Sequence, residues 1–180
     1  LIATQAKRLD KMISDLLAFS QIERTRNVGL LDLNGTVERA IATVQPPAGF
    51  FVSHDLQGAQ LRITEQDFLT VLTELINNAV KHHHADTGAI AIMAQSTGHG
   101  FEMTITDDGP GVPRSHLEQI FLPMKTMRPR DDVEGSGMGL SIVRRIIESY
   151  GGTLTAIERA QGCGFRISIP HEEAQVAANG

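Results

Sequence analysis

The sequence predicts a two-layer α/β sandwich preceded by a coiled-coil-like helix, and three features of the chain point to it. Apolar residues within the first 24 positions recur at alternating spacings of four and three, the seam of a helix that packs on a partner. From Leu30 onward, helical patterns are interspersed with pairs of alternating segments joined by turn residues. Hydrophobic residues make up 41% of the chain and aromatic ones only 4%, with no tryptophan, so a real core is available and it must be aliphatic.

The opening seam runs through Ile2, Ala6, Leu9, Ile13, Leu16 and Ser20 and is widened by Met12, Leu17 and Ile22. Such a helix packs on a partner outside the globular domain, another chain included, or folds back on its own domain as surface helices do. Asn27–Gly29 breaks the pattern, and a short strand near Leu30–Leu33 leads to a helix from Gly35 to Val44 and a turn at Pro46–Gly49. Strands at Phe50–Asp55 and Leu61–Ile63 precede a long helix from Glu65 to His82. Ala89–Gln95 and Phe101–Thr106 alternate on either side of Thr97-Gly98-His99-Gly100, which predicts a hairpin. A helix over Gly139–Tyr150, a turn at Gly151-Gly152 and strands at Thr153–Glu158 and Phe165–Ile169 repeat that grammar, and the residues from His171 on read as a frayed tail. The expected organisation is therefore a partial helical segment at 1–26, a catalytic or binding domain at 27–170 and a tail at 171–180.

Charge and composition narrow the function classes. A formal charge of −5 and no basic stripe argue against nucleic acid as a partner. The single Cys163 excludes an intrachain disulfide framework and suits a reducing compartment, so a cytoplasmic location is expected. No apolar run approaches the roughly 18 residues that span a bilayer, and the start of the chain is too charged for a signal peptide. Any membrane anchor of a parent protein is expected outside this stretch.

Three segments carry chemistry. In Thr73-Glu74-Leu75-Ile76-Asn77-Asn78-Ala79-Val80-Lys81-His82, a helix buries Phe68, Leu72, Leu75 and Ala79 and aligns Glu74, Asn78 and Lys81 on another face. A carboxylate, an amide oxygen and an ammonium so aligned suit a metal-bound phosphate chain, although a merely solvated face looks the same. Asp107-Asp108-Gly109-Pro110-Gly111 follows a strand; its glycines permit a tight turn and close ligand approach, and a strand-end carboxylate can accept a hydrogen bond from an exocyclic amine. Gly135-Ser136-Gly137-Met138-Gly139-Leu140 opens an amphipathic helix, exposing amide N–H groups and the positive end of the helix dipole to an anion. It lacks the Gly-Lys-Ser/Thr ending of a P-loop and does not follow a strand as a dinucleotide fingerprint does. The charged run Lys125–Glu134 before it reads as a lid or as a plain surface loop.

In this order and at these separations, the three segments resemble the N, G1 and G2 boxes of the GHKL superfamily, which includes histidine kinases and the gyrase, MutL-type and heat-shock chaperone ATPases. Ile120-Phe121-Leu122-Pro123-Met124 resembles the F box of histidine kinases, and Arg130–Gly135 the lid of their phytochrome-like members. Leu9–Ser20 is similar to the second helix of a histidine kinase dimerisation domain. The resemblance implies a mixed-sheet sandwich that binds ATP or ADP with Mg2+. Asn78 would be the Mg2+ ligand, Lys81 and His82 would approach the phosphates, Asp107 would receive the adenine amine, and Gly109 and Gly111 would shape its pocket. Gly135, Gly137 and Gly139, with Leu140 behind them, would close over the triphosphate.

Three departures stand out. Glu74 occupies the place where many histidine kinases have asparagine and the ATPase relatives glutamate, which suits a general base or a supporting role. Met124 replaces the second F-box phenylalanine, and Thr126 stands where an arginine is common, leaving Lys125, Arg128 or Arg130 to face the phosphates. His82-His83-His84 invites a metal, yet neighbours on a helix diverge by about 100°, so the three cannot converge there. None of the seven histidines stands in the His-Glu-x-Arg/Lys-x-Pro setting of a phosphoacceptor. The expected activity is phosphoryl transfer from ATP to a histidine of a dimerisation helix outside this stretch. The expected partners are a second copy through the dimerisation helices and a response regulator receiver domain. A GHKL ATPase that hydrolyses ATP, or a non-catalytic nucleotide-binding module, are the alternatives.

Overall fold

The computed structural model describes residues 28–123 and 137–171, so the opening helical seam and the run 124–136 lie outside the described residues. Among the described residues, seven strands form two sheets. Strands β1 (Gly29–Leu30) and β3 (Arg62–Ile63) make a small antiparallel pair. The main sheet holds β2 (Phe50–Asp55), β4 (Gly88–Thr97), β5 (Gly100–Asp107), β6 (Thr153–Ile157) and β7 (Gly164–Pro170) in the order β2-β4-β5-β7-β6. β2 runs parallel to β4 and every other pairing is antiparallel, which makes the sheet mixed, as expected.

Alternation along the strands decides which face is covered. Ile90, Ile92 and Ala94 of β4, Phe101, Met103 and Ile105 of β5, and Phe165, Ile167 and Ile169 of β7 are all buried and in register across the strands. Their neighbours Met93, Thr104, Arg166 and Thr155 form a line across the opposite face. Three helices cover the apolar side: α1 (Leu33–Val44), α2 (Glu65–His82) and α3 (Gly139–Glu148), with α2 packed between the other two. Phe68, Val71, Leu72, Leu75, Ile76 and Ala79 of α2 are buried at helical spacing, and Phe68 meets Phe101 edge-on at 6.1 Å. Each of the larger side chains among these contributes roughly 1.5–3 kcal/mol by leaving water.

The long helix and β2 have the bounds predicted from sequence. The other strands begin or end one or two residues from their predicted bounds, and two further boundaries differ for reasons visible in their hydrogen bonds. The first strand stops at Leu30, because the Asp32 carboxylate accepts from Gly35 N at 3.1 Å and starts α1 at Leu33, not Gly35. The last helix ends at Glu148, two residues early, where Ser149 N bonds back to both Arg145 and Ile146 and Gly151 turns left-handed at φ +69°. Tyr150 then reaches across: its hydroxyl donates to Asp67 Oδ2 at 2.5 Å and accepts from Thr64 N at 3.2 Å, and Thr64 caps α2. Burial, with Asp67 beside it, pushes the Tyr150 phenol above its ordinary range.

Because β2 and β4 are parallel, α2 is the crossover between them, and its C-terminus is delivered to the start of β4. The antiparallel pairing of β4 with β5 and β5 with β7 brings Asp107 and Gly164 to that same edge. One end of the sheet therefore gathers the end of α2, the 107–111 turn and the turn between β6 and β7.

Candidate functional site

On α2, Glu74 and Asn78 lie one turn apart and half-buried, and Lys81 follows, exposed, with His82 half-buried beside it. Lys81 and His82 also sit in the last turn, where positive charge opposes the helix dipole. A Cβ added to Gly139, the first residue of α3, would collide with the Glu74 carboxylate. The first and third segments singled out by sequence are thus brought together, and glycine at 139 is what lets the carboxylate approach the start of α3.

Helix α3 opens without a side-chain cap: Met138 precedes it, buried, and makes no capping bond to the first-turn amides. Gly137 adopts φ +71°, which directs the chain into the helix, and the Ser141 hydroxyl donates to Met138 O at 2.7 Å. Leu140 is half-buried against the core. Gly135, Met124, Lys125, Thr126, Arg128 and Arg130 lie outside the described residues. Of the F box, Ile120 and Phe121 are buried; Phe121 meets Phe165 edge-on at 6.2 Å, and the Arg144 guanidinium of α3 lies 5.6 Å over its ring.

The 107–111 turn is fixed by its own main chain. Oδ1 of Asp107 accepts from Gly109 N at 2.9 Å and from Cys163 N at 3.1 Å, while Asp107 N donates to Cys163 O at 3.0 Å. Both bonds to the carboxylate fall on Oδ1, and Oδ2 makes none with any described residue. Glycine is required around it: Gly162, at φ +79°, passes so close that a Cβ would overlap the Asp107 carbonyl, and a Cβ on Gly111 would lie 2.7 Å from Gly162 O. Cys163 is buried, and burial, then the charge of Asp107, pushes its thiol up to about 12.

Sequence reasoning found Asp107, Gly109 and Gly111 and missed what holds them. Gly162 and Cys163 were readable only as a glycine-containing turn before a strand, Gln161-Gly162-Cys163-Gly164. His83 was visible as the middle of a histidine run, and Asp108 as acidic decoration. In the structure His83 Nε2 lies 3.1 Å from Asp108 Oδ1, which also accepts from Ala89 N at 2.8 Å. The Ala89 N–H holds the Asp108 carboxyl below its usual range; burial opposes it, and His83 lowers it further by a smaller amount. Among the described residues no group of three or more His, Cys, Asp or Glu side chains is placed to hold a metal ion.

Residues 63–173, more than half of the chain and all three boxes with them, match the family described as histidine kinase-, DNA gyrase B- and HSP90-like ATPases. The chain belongs to this family. Within it, the sequence is similar to sensor histidine kinases over nearly its whole length. It is 30% identical to the sensor histidine kinase ZraS of Escherichia coli K12, covering 94% of this chain and 36% of ZraS. It is 33% identical to the sensor protein ChvG of Rhizobium meliloti, covering 94% of this chain and 29% of ChvG. The chain thus spans about a third of the length of these relatives. The fold is that of histidine kinase structures: AdeS of Acinetobacter baumannii superposes with a TM-score of 0.78 at 23% identity, covering 94% of this chain and 81% of AdeS. ShkA, solved in complex with AMPPNP, superposes with a TM-score of 0.76 at 22% identity, covering 88% of this chain and 35% of ShkA. The two-layer sandwich with a mixed sheet expected from sequence is therefore the GHKL catalytic fold.

Proposed function

We propose that this chain is the ATP-binding catalytic domain of a two-component sensor histidine kinase. The observation that carries the reading is the Asp107 carboxylate: Oδ1 is locked by two main-chain amides and Oδ2 is left to accept from an adenine amine, at the edge where α2 ends. Residues 27–170 form the catalytic domain, residues 1–26 the second helix of the dimerisation region, through which two copies pair, and 171–180 a tail. The site sits in the cytoplasm, and its phosphoryl group passes on to a response regulator receiver domain; the relative ThkA has been solved with the response regulator protein TrrA.

Glu74 and Asn78 offer hard oxygen donors on one helix face, which suits Mg2+, an ion that keeps waters and shares phosphate oxygens rather than needing a full protein cage. Asn78 would hold the ion, which would supply charge neutralisation at the phosphates. Lys81 and His82 approach the phosphates, Gly109 and Gly111 admit the base, and Gly135, Gly137, Gly139 and Leu140 carry the segment that closes over the triphosphate. The acceptor imidazole nitrogen attacks the γ-phosphorus, the bond to the ADP oxygen breaks, and the imidazole proton passes to a base, a role this reading gives to Glu74. Such chemistry rests on positioning and charge neutralisation. The Glu74 carboxylate beside Gly139 also favours a second reading, in which it activates water and the domain hydrolyses ATP.

A dimerisation domain carrying a phosphoacceptor histidine, supplied separately with labelled ATP, distinguishes them. Transfer is expected to be slow and concentration-dependent, giving acid-labile, base-stable label on the acceptor and none on this chain. Asn78→Ala is expected to abolish it and to weaken Mg2+-dependent nucleotide binding. Steady phosphate release unaffected by the acceptor would establish the hydrolytic reading instead, and label on this chain alone would overturn both.

A further inference from the structure

We infer that Tyr150 is a positioning residue: its hydroxyl pins the far end of α3 to the first turn of α2 and thereby sets where the near end of α3 meets the phosphates. This rests on the reading of the first turn of α3 as the phosphate side of the site.

Helices α2 and α3 meet at two places outside their apolar seam. Gly139, at the start of α3, lies against the Glu74 carboxylate, and Tyr150, two residues beyond the end of α3, lies against Asp67, about two turns before Glu74. The two helices are therefore antiparallel, with a carboxylate of α2 at either end of α3. Between these points Ile142, Val143, Ile146 and Ile147 of α3 are buried. Apolar burial is non-directional: it holds a helix down without fixing its place along a neighbour. Hydrogen bonds are directional and do fix it.

The contact at Tyr150 is a helix cap with a foreign member. Thr64 is the N-cap of α2 and Asp67 stands three residues on, the spacing of a capping box, in which the acid ordinarily accepts from the N–H of the cap residue. One half of the box has its usual form, since Asp67 N donates to Thr64 Oγ1 at 3.2 Å. Into the other half the phenol is inserted. It accepts from Thr64 N at 3.2 Å and donates to Asp67 Oδ2 at 2.5 Å, and Thr64 Oγ1 donates to that same oxygen at 2.7 Å. Bonds to an ionised acceptor are the stronger kind, and burial, with Asp67 beside it, keeps the phenol protonated and so a donor. The main chain carries the tether into α3, because Tyr150 N donates to Ile147 O at 3.1 Å and Gly152 N to the same carbonyl at 3.0 Å. A helix of 10 residues is a rod about 15 Å long. With no side-chain cap at its near end, α3 takes its place along α2 from its far end.

A tyrosine that only stabilises the fold and one that positions α3 differ measurably. Without the hydroxyl, Asp67 can close the ordinary box on Thr64 N, so Tyr150→Phe is expected to keep its Tm within about 4 °C of wild type. In calorimetry on the full chain with Mg2+, however, its affinity for AMPPNP is expected to fall about fivefold while that for AMP stays within about twofold. Thr64→Ala is the converse: it loses the bond from Asp67 N and keeps the one from Tyr150 to Asp67. Its Tm is expected to fall at least as far as that of Tyr150→Phe, with AMPPNP affinity within about twofold of wild type. Unchanged AMPPNP affinity in Tyr150→Phe, or an equal loss for AMP, overturns the inference. Asp67→Ala carries the same test should Tyr150→Phe not fold, since it removes the other partner and must show the same selective loss. Wild type that binds AMPPNP no more tightly than AMP sinks the phosphate reading itself, whereas a preference that Tyr150→Phe retains in full sinks only the role of Tyr150.

Discussion

The two sides of the site are built differently. On the side of the 107–111 turn, the functional carboxylate is fastened by main-chain amides from Gly109 and Cys163, and glycines 111 and 162 pass close to neighbouring carbonyls. On the side of α3, the closest approach is between a glycine and the far end of a flexible side chain, Glu74. On the proposed reading, base recognition would be set by backbone, and phosphate recognition by side chains and by the first turn of α3, which no side chain caps. That division suits a nucleotide whose base is constant and whose phosphate chain shortens by one on transfer.

The largest effect expected from this contrast is at Cys163. Its thiol, raised from 9.0 to about 12, leaves the thiolate about a thousandfold scarcer at neutral pH than in a free cysteine. Alkylation by iodoacetamide, followed by mass spectrometry, should be slower in the native protein by at least that factor than after urea unfolding. Native labelling at the unfolded rate would mean that the start of β7 is not closed over Asp107.

The next effect concerns Gly162→Ala. The left-handed backbone and the Asp107 carbonyl both oppose a Cβ, so a loss of about 2 kcal/mol or more is expected in urea denaturation. Gly139→Ala, the matching change on the other side, meets only a carboxylate that can swing away, and alanine is the better helix former. Its stability is expected within about 0.5 kcal/mol of wild type. Equal losses at the two positions would erase the distinction between a rigid and an adjustable side.

The same contrast explains what the sequence disclosed. The long helix, the hairpin and the three boxes were legible because period, turn residues and chemistry each demand particular side chains, such as Gly98 between two alternating runs or Asp107 at a strand end. The pairing of β2 alongside β4 was not, since a strand has the same alternation whichever way its neighbour runs, and only that parallel pairing delivers His83 to the turn. The sequence pattern places the start of α1 two residues late, at Gly35, because it does not pick out the Asp32 cap that begins the helix at Leu33. His83 stood inside a run whose most conspicuous property was its repetition. The seat of Asp107 was hidden for a simpler reason: amide groups have no letter in the sequence.

That last point bears on how this domain tolerates change. The hydrogen bond from position 163 belongs to the peptide, so any buried residue that fits the space of the thiol preserves it, and only proline removes it. Position 162, one residue earlier, has the opposite character, since its glycine contributes nothing but room. A saturation library across 162–163 selected for nucleotide binding would therefore return near-silence at one site and wide variety at its neighbour, although both serve the same residue, Asp107.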